Sequence, residues 1–162
     1  MVLNVHERLL PVPVEEAARL LQSLATEDDL LWPHERWPPL RADAPLAVGV
    51  PCHHGPVHYM VESLDPGRTV VFRFTRPKGF EGTHGFTLTM DGEAACRLRH
   101  TLVMKTRGSA RLAWPLFYRP LHDALIEDAL DNAERALGTG PPDTAHHPTN
   151  VRLLRRLTRL DA

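Results

Sequence analysis

The sequence predicts an α+β domain in which one antiparallel sheet is covered by a single long C-terminal helix. Three observations carry this. Val57–Leu64, Thr69–Thr75, Thr83–Met90 and Ala95–Thr106 alternate apolar and polar residues, the pattern of half-buried strands. Their connections are short and rich in turn residues, which makes neighbouring strands antiparallel. Trp114–Leu137 is the longest run with helical periodicity, and a helix with one apolar face needs a sheet to cover it.

In chain order, Val2–Leu10 is a strand, with Leu3, Val5 and Leu9 alternating against Asn4, His6 and Arg8. Pro11-Val12-Pro13 breaks it. Val14–Leu24 is an amphipathic helix whose first turn holds Glu15 and Glu16, on the side that the helix dipole favours. A short helix is expected over Thr26–Leu31, with Thr26 as its cap. Trp32–Pro45 holds four prolines and two tryptophans and is expected to be an irregular wall. Leu46–Val50 is apolar enough for a short strand. Cys52-His53-His54 is placed in the loop before Gly55, at a cavity mouth or in solvent.

Val57, Tyr59 and Val61 share one strand face. Asp65-Pro66-Gly67 is a strong turn, with Pro presetting one dihedral and Gly supplying a positive one. Val70, Phe72 and Phe74 then oppose Val71, Arg73 and Thr75. Arg76–Gly82 is expected to be a loop. His84, Phe86, Leu88 and Met90 fall on one face of the next strand, and Asp91-Gly92 signals a hairpin. Cys96, Leu98, His100, Leu102 and Met104 point inward on the last strand, with Arg97, Arg99 and Lys105 outward.

On a 3.6-residue wheel of the long helix, Tyr118, Leu121, Leu125, Ala129, Ala133 and Ala136 form the apolar side. Asp123, Glu127, Asp131 and Glu134 form the other. His122 and Asn132 fall inside the apolar arc. Pro115 suits a first turn; Pro120 requires a restart or a kink. Gly138 stands where a left-handed cap belongs. Asp128 and Arg135, at the edge of the arc, are expected to form a flanking ion pair. The divisions are a domain at 1–138, a linker at 139–150 and a basic amphipathic tail at 151–162. The tail is helical over Val151–Leu160, and its leucines are expected to dock on the body or on a sister subunit, as in a homodimer, the alternative being binding to a membrane surface or a partner.

Bulk properties fit one domain of 162 residues, 43% hydrophobic and 24% charged. The net charge of −1 gives no pull toward nucleic acid. No apolar run is long enough for stable membrane insertion. The first residues lack the pattern of a signal peptide. Two cysteines are too few for a disulfide framework and are expected to be reduced thiols in a cytoplasmic protein.

The order of elements resembles the START-like, polyketide cyclase/dehydrase and lipid-transport superfamily (SRPBCC). The residues that carry the resemblance are the opening strand into VPVEEAARLL, the pair HGPVHYMVESLDPGRTVVFRF, GTHGFTL and the closing LHDALIEDALDNAERAL. It extends from about Leu3 to Leu137 and is similar to the bacterial single-domain members. It implies a helix-grip fold, a curved antiparallel sheet wrapped around a long C-terminal helix, with a hollow for an apolar or aromatic ligand. It does not imply one chemistry, since the superfamily holds carriers, aromatase/cyclases and regulators.

The residues expected to line that hollow are Tyr59, Phe72, Phe74, His84, Phe86, His100 and Leu102 from the sheet, with Tyr118, Leu121, His122, Leu125 and Asn132 from the helix. His84, His100 and His122 are the sharpest constellation, because buried polar groups need partners. They are core histidines satisfied by Tyr59, Tyr118, Asn132 or backbone, or ligand anchors, or general acid/base groups. No metal site is expected, because the histidines come from three elements and no HExxH or CxxC is present. No nucleotide-binding loop is present, so no cofactor is expected. The leading function is binding or transport of a small hydrophobic or aromatic molecule. The alternative is an aromatase/cyclase-like enzyme using a cavity histidine or tyrosine, and no catalytic residue is assigned.

Overall fold

The computed structural model describes residues 1–140 and 147–157. Seven strands form one antiparallel sheet: β1 Val2–Leu10, β2 Arg41–Ala42, β3 Pro51–His54, β4 Val57–Asp65, β5 Thr69–Arg76, β6 Phe80–Met90 and β7 Cys96–Thr106. Their order across the sheet is β1-β7-β6-β5-β4-β3-β2. Helix α1 spans Val14–Gln22 and a short α2 spans Ala110–Ala113. A π-helical turn, Trp114–Tyr118, joins α2 to the long α3, Arg119–Ala136. Helix α4 spans Thr149–Leu157. None of the described helices is long and apolar enough to cross a membrane.

The alternation in β4 to β7 sets the register as expected. Val70 and Phe72 in β5, His84 and Phe86 in β6, and Leu98, His100 and Leu102 in β7 are buried, while Arg97 and Arg99 reach Glu7 on the outer face. Cross-strand pairing puts His84 beside both Phe72 and Leu102. The sheet bends through two irregularities in the β4–β5 pairing, at His58/Tyr59 and Val61/Ser63, as bulges do. Strand β6 starts at Phe80, inside the expected loop, and takes in Gly82. A Cβ at Gly82 would lie 2.1 Å from the Val103 carbonyl oxygen, and one at Gly85 would lie 2.1 Å from that of Val70. Only glycine allows this approach.

Strand β1 turns its polar face to the helix. Asn4 and His6 reach Asp123, and Arg8 pairs with Glu127, Asp131 and Glu134. Leu3, Val5 and Leu9 are exposed on the outer face. The acidic side of α3 therefore meets a basic strand edge, and the two amphipathic patterns are satisfied by ion pairs.

Four local expectations change. Thr26–Leu31 is not helical: the Asp29 carboxylate accepts from the backbone N–H groups of Ala25, Leu31 and Trp32 and holds a turn in place of a helix. Leu46–Val50 is a turn, with Gly49 at φ +89°, and the strand begins after it at Pro51. Met90 is 65% exposed, because the strand runs past the core there. Pro120 neither restarts nor breaks the helix. Before it, the Arg119 N–H reaches back to the Trp114 carbonyl, and the wider π turn relieves the clash that a proline ring makes with the preceding turn.

Asp128 is 2% exposed and does not pair with Arg135. Trp37 Nε1 donates to it at 2.6 Å and Arg36 Nη1 at 2.9 Å, while Arg135 donates to Asn132. His147 Nε2 lies 3.0 Å from the same carboxylate. Helix α4 begins at Thr149 and buries Val151, and the Arg155 guanidinium lies 4.7 Å above the Trp37 ring. The described part of the tail thus docks on the body of its own chain, through Val151 and Arg155 and not through Leu153, which is 56% exposed. Linker residues 141–146 and tail residues 158–162, including Leu160, lie outside the described residues.

The Gly85→Ala substitution is expected to lower unfolding free energy by about 2 kcal/mol or more, in the range of a steric change in a core. Urea unfolding checks this, and an unchanged midpoint would show that β5 and β6 have room to separate.

Candidate functional site

The two halves of α3 meet the sheet differently. Ala129, Leu130 and Ala133 are fully buried, and the small residues allow close packing in the same apolar core as Ala17, Leu20 and Leu21 of α1. Toward its N-terminus, α3 presents Leu121, His122, Leu125 and Ile126 to a cavity of about 350 Å³. A second, smaller core holds Phe80, Leu102, Met104, Ala110 and Trp114, and its Phe80, Leu102 and Trp114 also line the cavity.

Eleven of the twelve residues expected in the hollow lie on its wall: Tyr59, Phe72, Phe74, His84, Phe86, His100, Leu102, Tyr118, Leu121, His122 and Leu125. Asn132 does not. It lies two turns further along α3, bonded to Arg135. The wall also includes Trp32, Trp37, Leu40, His54, Phe80, Trp114 and Phe117. All ten Phe, Tyr and Trp residues of the sequence face this one space. Among the described residues the wall carries no Asp, Glu, Lys or Arg.

Trp32 and Trp37 come from the irregular segment after α1. Asp29 fixes its start, Trp32 Nε1 donates to the Pro38 carbonyl at 2.9 Å, and Asp128 anchors Trp37 from α3. His54 was placed in a loop by its glycine neighbour. It lies instead in β3, with Nδ1 2.9 Å from the Tyr59 hydroxyl and its ring 4.9 Å from Trp32. The signal available in the sequence was the short alternation Cys52–His54 against Val57–Tyr59, across a two-residue turn.

The cavity histidines form a chain of rings. His84 stacks on Phe74 at 4.6 Å and meets Tyr59 edge-on at 4.8 Å. His100 lies 5.7 Å from His84 and 5.1 Å from His122. His84 Nε2, His100 Nδ1 and both ring nitrogens of His122 are buried with no hydrogen-bond partner among the described residues. Tyr59, Tyr118 and Asn132 do not satisfy them.

Burial, with smaller contributions from neighbouring imidazoles, pushes His84 and His100 well below the ordinary histidine value. It pushes His54 down to about 3. His122 is also lowered by burial, which outweighs the nearby Asp123 carboxylate. Tyr59 is raised well above the phenolic range, chiefly by burial. At neutral pH these groups are uncharged, and each imidazole carries one donor and one acceptor. The arrangement offers hydrogen bonds inside an apolar aromatic box. It offers no fixed charge.

This electrostatic situation predicts acid sensitivity. In the unfolded chain the same imidazoles take up protons below about pH 6.5, while His54, His84 and His100 stay neutral in the folded state. The unfolded state then binds more protons, so stability falls as pH drops from about 6.5, for His54 down to about 3. His6 acts in the opposite sense: its hydrogen bond to Asp123 raises its value, so its stabilising contribution is present at low pH and lost as pH rises. The buried groups outnumber it. Thermal melts are expected to move downward from about pH 7 to pH 5, less steeply in His84→Phe. A flat profile would mean that these rings are charged or solvated.

No protein-family model matches this chain, and no curated protein matches it. Solved structures do. A Thermobifida fusca protein superimposes with a TM-score of 0.63 at 16% identity, covering 91% of this chain and 100% of its own. DynU16, a protein of the dynemicin biosynthetic locus, gives 0.57 at 21% identity over 86% of this chain and 48% of its own. CalU16 from Micromonospora echinospora gives 0.55 at 14% identity over 96% and 83%. At such identities the likeness is one of architecture: the chain has the helix-grip fold that these bacterial proteins share.

Proposed function

We propose that this protein binds a small hydrophobic or aromatic molecule in the cavity under α3 and holds it without converting it. The observation that carries the reading is the gathering of every Phe, Tyr and Trp of the sequence around one space. Aromatic side chains are the largest contributors to burial energy, and although several pack on one another, as Tyr59 on Phe72 and Phe80 on Tyr118, both at 4.9 Å, they leave a space between them. Here they surround about 350 Å³, within the size range of ligand sites. Since a cavity of ~150 Å³ accommodates benzene, this one suits roughly two or three rings.

The histidines support binding over catalysis. A general base is most effective with a pKa near the working pH, and burial drives His54, His84 and His100 far below it. A neutral imidazole with an open ring nitrogen is a good anchor for a ligand hydroxyl or carbonyl. The second reading, an aromatase/cyclase-like enzyme, is favoured by one contact, the His54–Tyr59 hydrogen bond inside the cavity, and by the biosynthetic locus of its neighbour DynU16.

The three tryptophans all line the cavity, so their fluorescence reports its occupancy. Titration with 2-naphthol is expected to give saturable quenching with one equivalent. His84→Gln and His100→Gln keep a donor and an acceptor, so each is expected to weaken binding by about 1 kcal/mol or less, the scale of one neutral hydrogen bond. No saturable quenching would remove the binding reading. Turnover of a polyketide-like substrate that either variant loses while still binding 2-naphthol would replace it with the cyclase.

A further inference from the structure

Where β1 crosses α3, beside the cavity, two histidines and a carboxylate converge. His6 Nε2 lies 3.2 Å from Asp123 Oδ1, and His122 Nδ1 lies 3.6 Å from the same oxygen. The three donor atoms all fall within 4.8 Å of one another. Ligand atoms about 2.0–2.2 Å from a tetrahedral zinc ion stand roughly 3.3–3.6 Å apart, and the two separations from Asp123 Oδ1, 3.2 and 3.6 Å, match that spacing.

The surroundings are those of a metal site. His6 Nδ1 lies 2.6 Å from Glu127 Oε1. Donation from Nδ1–H to that carboxylate leaves the Nε2 lone pair directed toward Asp123, the carboxylate–histidine arrangement that orients metal-bound imidazoles. Asn4 Nδ2 donates to Asp123 Oδ1 at 2.8 Å and fixes the carboxylate. An ion pair between protonated His6 and its two carboxylates would account for His6 alone. It leaves His122 Nε2 buried with no hydrogen-bond partner among the described residues and His122 Nδ1 3.6 Å from Asp123, beyond hydrogen-bond distance. A cation between the three groups satisfies His122 Nδ1 as well as His6 Nε2.

We propose that His6, His122 and Asp123 bind a divalent transition-metal ion of the zinc class at the seam between β1 and α3. Two imidazoles and one carboxylate suit zinc or cobalt and give magnesium or calcium too few oxygen ligands. Three protein ligands leave a fourth position. His122 also lines the cavity, so the ion and a cavity ligand share one side chain. The proposal does not depend on what the cavity binds.

The test uses the tag-free full chain, stripped with chelator and titrated with Zn²⁺, Co²⁺ and Mg²⁺ by calorimetry and absorption. One equivalent of Zn²⁺ or Co²⁺ is expected, with no heat from Mg²⁺. The Co²⁺ spectrum is expected to show visible bands of a low-coordinate nitrogen/oxygen site and no thiolate charge-transfer band. His122→Gln and Asp123→Asn are expected to weaken Zn²⁺ by more than ~100-fold, and Glu127→Gln by about 10–100-fold, as for loss of a supporting carboxylate. The half-buried pair His53 and His58, stacked at 5.4 Å on β3 and β4, is the control: His53→Gln is expected to leave affinity unchanged. Absence of binding, a thiolate band, or binding that survives His122→Gln or is lost in His53→Gln would overturn the site. Should a ligand variant fail to fold, the wild-type Co²⁺ spectrum and the Glu127→Gln and His53→Gln arms still decide.

Discussion

The imidazoles of His84 and His100 are held out of water beneath α3, with those of His54 and His122 partly buried beside them, and the rest of the site depends on keeping them so. Withdrawing a group that titrates near neutrality into an apolar interior is tolerable only in its neutral form. The wall accordingly brings no carboxylate, guanidinium or ammonium to the cavity side among the described residues. Asp123, next to His122 in the chain of rings, is turned to the seam with β1, where Asn4 and His6 occupy it. The interior is left polar in hydrogen-bonding capacity and empty of charge.

Two anchors place α3 over this interior. On one side Arg8 and His6 hold the acidic flank of the helix to β1. On the other, Asp128 accepts from Trp37 and Arg36 and so ties the irregular segment after α1 to the helix. Breaking a buried, hydrogen-bonded carboxylate of this kind typically costs about 3–5 kcal/mol. The packing between the anchors is graded by residue size. Alanines at 129 and 133 let the C-terminal half of α3 close on the core, while Trp114, Phe117 and Tyr118, in the π turn before it, line the cavity. Helix α4 reinforces the second anchor, since Arg155 covers the ring of Trp37.

The sheet and its inward face were legible because a period of two assigns every residue of a strand once one is placed. Phe72, His84, Phe86 and His100 follow from that rule alone. The long helix was legible for the same kind of reason, although the π turn that accommodates Pro120 was not, because it depends on a hydrogen-bond shift that residue types do not announce. Trp32 and Trp37 escaped because they lie where no period operates, and their positions depend on contacts with Asp29, Pro38 and Asp128; His54 escaped because the alternation of β3 is only a few residues long. Asn132 was misplaced by treating the apolar arc as uniform along α3, when the cavity occupies only its first half. Strand β1 shows the limit of hydrophobic patterning most clearly. Its apolar residues face outward because its polar ones have four acidic partners on α3, a match visible only once the two elements are side by side.

The central claim is that neutral cavity histidines serve as hydrogen-bonding anchors for a bound apolar molecule. It is tested most directly by the ¹⁵N NMR shifts of the histidine ring nitrogens, recorded with and without 2-naphthol from neutral pH to about pH 5. The account predicts single neutral tautomers for His54, His84 and His100 throughout, with shifts at His84 Nε2 or His100 Nδ1 when the probe binds. Rings that titrate near the ordinary histidine value and do not respond to the probe would contradict it.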